Sequence, residues 1–228
     1  MRKPGVFRRL NRILNWIIAG LVLVMLLFVA VFVYDSTRPA ISVLMINHWI
    51  RGKPVDRQWI PLADVSPRLI DSVVMSEDGQ FCSHNGVDWH QLQDVMDDPD
   101  GPARGASTIT MQVARNLFLW NGRSFIRKGL EIPLALLVDA LWSKKHILEV
   151  YLNIAEWGDG IFGAEAAARH DFNKRAAQLT TREAALLATA LPNPFLRNPA
   201  KPSRNHRYLA EINTARTRDA AEWTTCLR

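Results

Sequence analysis

Nineteen consecutive uncharged residues, Trp16 to Tyr34, constrain this chain more than any other feature. At about 1.5 Å per residue, a helix over W-I-I-A-G-L-V-L-V-M-L-L-F-V-A-V-F-V-Y is long enough to cross roughly 30 Å of hydrocarbon. Arg2, Lys3, Arg8, Arg9 and Arg12 precede the run without an acid, which predicts a cytoplasmic N-terminus and an outer domain on the far side. The run exceeds an ordinary signal-peptide core and no small-x-small cleavage pattern follows it, so a retained anchor is expected rather than a cleaved leader. The expected organisation is a basic cytoplasmic tail over 1–12, a transmembrane anchor over 13–34, a linker or membrane-proximal segment over 35–66, and a folded domain over 67–228.

Charge supports this division. Five of the 28 Lys and Arg precede the run, leaving 23 against 22 Asp and Glu, so the outer domain is nearly neutral. The net charge of +6 is therefore mainly a topology signal and does not argue for a nucleic-acid partner. No spacing of Cys, His and acids matches a zinc site, and the two cysteines, Cys82 and Cys226, are expected as free thiols.

The outer domain reads as mainly α, with no run of alternating strands. Pro39, Pro54 and Pro61 break up the linker, and Ile41 to Ile50 forms an apolar patch suited either to the domain or to a membrane surface. Helical patterns cover Pro67 to Met75, Trp89 to Met96 with Asp88 as cap, Ser107 to Leu119, Lys128 to Trp142 with Glu131 and Pro133 in its first turns, and Lys144 to Trp157 stopped by Gly158. Further helices are expected over Ala164 to Phe172 and after the capping box Thr180-x-x-Glu183, ending at Pro192. Asp97 to Gly105, D-D-P-D-G-P-A-R-G, is a loop by every turn signal and suited to motion near a cleft.

Three segments carry candidate chemistry. In Ser76 to Asp88, S-E-D-G-Q-F-C-S-H-N-G-V-D, acids and glycines surround Phe81, an order suited to holding Glu77 at a cleft edge as an acid/base group. A solvated turn is the plainer reading of the same residues. His84 and Asp78 are expected to orient this loop rather than react. In Gly105 to Asn116, a helix start with Ser107 and Thr108 suits an anionic oxygen, and Gln112 and Arg115 share a face. In Arg123 to Glu131, Arg123, Arg127 and Lys128 surround one carboxylate, more cations than a single salt bridge uses, which suits either a diphosphate or anionic headgroups. A fourth segment, K-H-I-L-E-V-Y-L-N-I-A-E-W-G-D-G-I-F-G from Lys145 to Gly163, reads as scaffold, with Asn153 and Glu156 at a helix end.

Together with E-A-A-L-L-A-T-A-L-P-N-P, these segments resemble the peptidoglycan glycosyltransferase family, in the right order over roughly Pro67 to Pro199. G-R-S-F-I-R-K-G-L-E and Y-L-N-I-A-E-W-G-D-G-I-F-G are especially close to monofunctional Gram-negative members, and no S-x-x-K of a transpeptidase follows. The resemblance implies a lysozyme-like glycosyltransferase domain behind one N-terminal transmembrane helix. It also implies polymerisation of lipid II onto a lipid-linked glycan chain at the inner membrane, with other wall-synthesis proteins as candidate partners.

By position, Glu77 matches the family's catalytic base and Glu131 its second essential carboxylate. Ser107, Thr108, Gln112, Arg115 and Asn116 fall in the donor-site motif, and Arg123, Arg127 and Lys128 fall near the diphosphate, where a divalent cation could also sit. Three positions depart from the family pattern: Met111 stands where a second Gln is usual, Arg115 replaces Lys, and His170-Asp171 precede Phe172 where Tyr is expected. A glycan-cleaving lysozyme-like enzyme and a catalytically weakened scaffold remain the alternatives, the first disfavoured by the cations near Glu131.

Overall fold

The structure is a computed structural model that describes residues 9, 11–16, 18–20, 22–23, 39–97, 105–120, 122 and 124–228. Most of the proposed anchor, all but two residues of the loop over 97–105, and Arg123 lie outside the described residues. Among the described residues, no helix is long and apolar enough to cross a membrane. The chain divides into two units, Met1–Ala40 and Ile41–Arg228, and the second carries the fold described here.

The second unit is mainly helical: α1 (Val43–Ile50), α2 (Pro67–Glu77), α3 (Trp89–Asp97), α4 (Ile109–Phe118), α5 (Phe125–Leu141), α6 (Lys144–Ile154), α7 (Ala164–Phe172), α8 (Thr181–Ala190), α9 (Arg204–Arg216) and α10 (Ala220–Trp223). Short-range chemistry sets many of the starts. Ser42, Thr108, Ser124, Ser143 and Ser203 each accept a backbone N–H with the side-chain hydroxyl, and Thr180 and Glu183 form the expected reciprocal box. Asp88 Oδ1 accepts from Gln91 N at 2.9 Å, the expected cap of α3.

Two packing groups build the core. The alanine-rich α8 lies against both α2 and α9, because Ala184, Ala185 and Ala188 are small enough for close approach. The second group is α4 against α5 and α6, with Ile109, Val113, Ile147, Leu148, Tyr151 and Leu152 buried. Each large apolar side chain removed from water in this way contributes about 1.5–3 kcal/mol. α1 buries Met45 and His48 and leaves Ile46, Trp49 and Ile50 exposed, so the apolar patch packs on the domain with one face and presents the other outward.

Three expectations are corrected. α5 begins at Phe125 rather than Lys128, so Pro133 stands inside the helix instead of its first turns, and the Gly129 carbonyl loses its helical donor there. Apolar residues on the flanks of Pro133, such as Ala135 and Val138, hold the helix together by burial. α6 ends at Ile154, not Trp157. Glu156–Gly158 leaves the helix as strand β2 and pairs antiparallel with β3 (Ile161–Phe162), which pairs parallel with β1 (Asp56–Arg57). Asn153 secures that helix end by exchanging two side-chain bonds with the Ile60 backbone, at 2.9 and 2.8 Å.

The cysteines are the third correction. Cys82 and Cys226 form a disulfide, with Cα atoms 5.6 Å apart across a sequence separation of 144. Burial of Thr224 and its bond to Asp71 on α2 bring the end of the chain against the turn after α2, a juxtaposition that spacing alone does not reveal.

Candidate active site

Glu77 is the last residue of α2, and the turn that follows it is held by its own neighbours. Asp78, buried, accepts from His84 Nε2 at 3.0 and 3.1 Å and from the Ile109 backbone N–H at 2.9 Å. The loop-orienting roles expected of Asp78 and His84 match this geometry, which ties the turn to the first residue of α4. Phe81 is fully buried beneath the turn, with the Lys144 ammonium 4.7 Å from its ring centre. Gly86, at φ +81°, permits the closest approach: a Cβ there would lie 2.7 Å from the Ala135 carbonyl oxygen of α5.

Glu77 lines a cleft of about 1000 Å³ together with Ser107, Gln112, Arg115, Arg197 and Trp223. Gln112 donates its side-chain amide to Glu77 Oε2 at 2.9 Å, and Tyr151 donates its hydroxyl to Gln112 Oε1 at 3.3 Å. Oε1 of Glu77 is buried and has no hydrogen-bond partner among the described residues. Burial pushes the Glu77 carboxyl above its ordinary value, against the Gln112 hydrogen bond and the charges of Arg115 and Arg197. Burial also drives the Tyr151 phenol well above its usual range, which keeps it neutral and a donor. A carboxylate in a cleft lining, with one oxygen fixed and the other unpartnered, is suited to accept a proton.

The second carboxylate is differently placed. Glu131 is fully buried, its Oε1 accepting from Arg127 Nη1 at 2.5 Å and its Oε2 from Lys128 Nζ at 3.0 Å. Lys128 Nζ also donates to Ser107 Oγ at 2.7 Å, linking this cluster to the cleft lining. Both carboxylate oxygens are thus occupied by cations, and Arg127 is largely buried as the partner of Glu131, while Lys128 keeps 40 % of its side chain exposed.

The donor-motif residues divide. Ser107, Gln112 and Arg115 line the cleft. Thr108 does not: it is buried, caps α4 through Met111 N at 3.1 Å and donates to the Gly86 carbonyl at 2.6 Å, so its hydroxyl serves the fold. Asn116 is buried on α4 and does not line the cleft, and Met111 lies fully in the core. Sequence reasoning missed Tyr151, Arg197 and the wall formed by Leu209, Ile212 and Trp223. Tyr151 lies in a segment read as scaffold, and the others carry no local signal.

Elsewhere, His48, Glu156 and Asp159 bring ligand-type atoms within 4.8 Å of one another. His48 Nε2 already pairs with Glu156 at 3.1 Å, and the Lys53 ammonium with Asp159 at 3.1 Å. That cluster supplies its own cation.

The sequence that builds this cleft matches a known family. Residues 45–218 match the model of the transglycosylase family, and the chain belongs to it. It is 58 % identical over 200 residues to a biosynthetic peptidoglycan transglycosylase of Brucella suis biovar 1 (strain 1330), covering 87 % of this chain and 89 % of that protein. It is 50 % identical over 223 residues to a protein of the same description from Agrobacterium fabrum, covering 97 % and 98 % respectively. A counterpart in Rhodopseudomonas palustris (strain HaA2) is 51 % identical over 225 residues, covering 97 % of each. The mainly helical second unit is accordingly a lysozyme-like transglycosylase domain.

Proposed function

We propose that this protein is a peptidoglycan glycosyltransferase that polymerises lipid II into β-1,4-linked glycan strands by inverting transfer. Family membership and the relatives' descriptions support the activity. The observation that carries the mechanism is Glu77 in the cleft lining, with Oε2 fixed by Gln112 and the buried Oε1 left without a partner among the described residues.

Glu77 takes the proton from the acceptor sugar's 4-hydroxyl as that oxygen bonds to the donor's anomeric carbon. The bond from that carbon to the diphosphate breaks, and undecaprenyl diphosphate departs with the electron pair. General-base assistance of this kind contributes about 10²–10⁴-fold. Arg115, at the cleft, and Lys128, beside Ser107, offset the leaving-group charge, with Arg123 assigned to the same task from the sequence. Glu131 orients Lys128 and Arg127. No step is assigned to a divalent cation, because both Glu131 oxygens already carry these two side chains.

A glycan-cleaving enzyme has no diphosphate to hold, and the cations around the cleft favour the polymerase. The apolar run Trp16 to Tyr34 is assigned as a single-pass inner-membrane anchor with the domain periplasmic, which keeps the cleft near lipid-linked substrates. Purified protein given lipid II should yield polymer. Cleavage of preformed glycan without polymer, or neither product, would overturn the assignment in favour of a hydrolase or a scaffold.

A further inference from the structure

The end of the chain grips both flanks of Glu77. Ahead of it on α2, Asp71 Oδ1 accepts from Thr224 Oγ1 at 3.4 Å. Behind it, Cys82 is bonded to Cys226, whose backbone N–H also donates to Cys82 Sγ at 3.3 Å. From a third side, Lys145 Nζ on α6 donates to Arg228 O at 2.9 Å. Between these ties, α10 places Trp223 in the wall of the cleft that Glu77 lines.

Among the described residues, the turn from Glu77 to Cys82 has little else to hold its outer side. Its backbone bonds are short-range, Phe81 N to Asp78 O at 3.0 Å and Ser83 N to Gln80 O at 2.8 Å, and no described residue lies within 4 Å of where a side chain on Gly79 would start. Asp78 and Phe81 anchor its inner side. The disulfide is the covalent tie on the outer side.

We propose that the Cys82–Cys226 disulfide, with the segment it fastens, positions Glu77, so that glycosyl transfer runs at full rate only while the pair is oxidised. This rests on the reading of Glu77 as the base. Reduction is balanced by a dithiol reductant: it gives two electrons and two protons to the S–S bond, leaving two thiols, and closes its own disulfide. Both cysteines are partly exposed and within reach of such a molecule. Because they are the chain's two cysteines, a reductant acts on this bond alone. The tail it frees closes a loop across a separation of 144 residues, so the change is not confined to one turn.

The test compares the full-length protein in detergent, oxidised and after dithiothreitol, with the Cys82→Ser/Cys226→Ser double variant and with Glu77→Gln, on lipid II. A reactive group misplaced by about 1 Å costs on the order of a hundredfold. Reduction should lower kcat about ten- to a hundredfold with KM changed about twofold or less, and reoxidation by diamide should restore it. The double variant should be equally slow and insensitive to reductant. The acid limb of the kcat profile should move to lower pH, since a loosened Glu77 is better hydrated and burial is what raises its pKa. A purely structural bond would not move that limb.

Unchanged kcat and acid limb in reduced, folded protein overturn the proposal. A reduced protein that melts at or below every workable assay temperature also overturns it, making the bond a staple of the fold. Turnover by folded Glu77→Gln would remove the base assignment whatever the cysteines do. An inactive Glu77→Gln beside an unaffected reduced parent removes only the positioning role.

Discussion

Gln112 and Glu77 stand 35 residues apart in the chain and share a 2.9 Å hydrogen bond that fixes one carboxylate oxygen, while the other is buried without a partner among the described residues. The amide is held in turn by the Tyr151 hydroxyl from α6. Three helices thus set the direction of one proton acceptor. A hydrogen bond to a charged group is worth about 1.5–3 kcal/mol, so Gln112→Ala should lower kcat/KM roughly ten- to a hundredfold. Its acid limb should move to higher pH, because the lost bond is one that lowers the Glu77 pKa. A pH–rate profile of the folded variant that overlays the parent would remove Gln112 from the site.

The pH dependence of the parent follows from the same carboxyl. Burial raises the Glu77 pKa above the ordinary glutamate value, and the base must be ionised to act. Activity should therefore fall on acidification at a pH above the ordinary glutamate range. Stability responds in the opposite sense: the folded state favours the protonated form, so ionising Glu77 as pH rises through the raised pKa costs stability. Glu77→Gln should be inactive yet melt no lower than the parent at neutral pH. A pH–rate profile checks the first sign and scanning calorimetry across pH the second.

Asp78 is a stability residue in this geometry. Its buried carboxylate serves both His84 and the Ile109 N–H. Asp78→Ala leaves those donors without an acceptor and should cost about 2–4 kcal/mol in denaturant unfolding. His84→Ala, which leaves the Ile109 bond in place, should cost less. Equal losses would show that the Ile109 contact contributes little.

Arg127 and Lys128 are adjacent yet should fail differently. Arg127→Ala strips one cation from the fully buried Glu131 and should lower stability by about 3–5 kcal/mol. Lys128→Ala removes the more exposed cation that reaches Ser107, and should lower turnover of diphosphate-linked donor about ten- to a hundredfold with a smaller change in melting temperature. Binding of uncharged glycan oligomers should survive Lys128→Ala. Full activity of that folded variant on lipid II would place the diphosphate elsewhere.

Topology is open to a direct measurement. A reporter that works only in the periplasm, fused after Arg228, should be active, and protease added to spheroplasts should digest the domain. Protection of the domain in intact spheroplasts would reverse the proposed orientation.

What the sequence determined by itself is what short spacings encode. The Asp88 cap, the Thr180–Glu183 box, the alanine-rich α7 and α8, the turn built around Glu77, and the family's motifs are all local patterns, because caps and helix faces are decided within one or two turns. The carboxylate–cation cluster at Glu131 was legible for the same reason, since Arg127, Lys128 and Glu131 share one helix. Thr108 shows the limit of that code: a hydroxyl at a helix start serves a ligand or a cap equally well, and only its burial against Gly86 separates the two. Tertiary structure alone decided that Gln112 meets Glu77 and that Tyr151 supports it. It also decided that Arg197 and Trp223 wall the cleft and that Cys226 returns to Cys82 across 144 residues. Those pairings have no period to read, because they depend on how α2, α4, α6 and the end of the chain fit together once their apolar faces are buried.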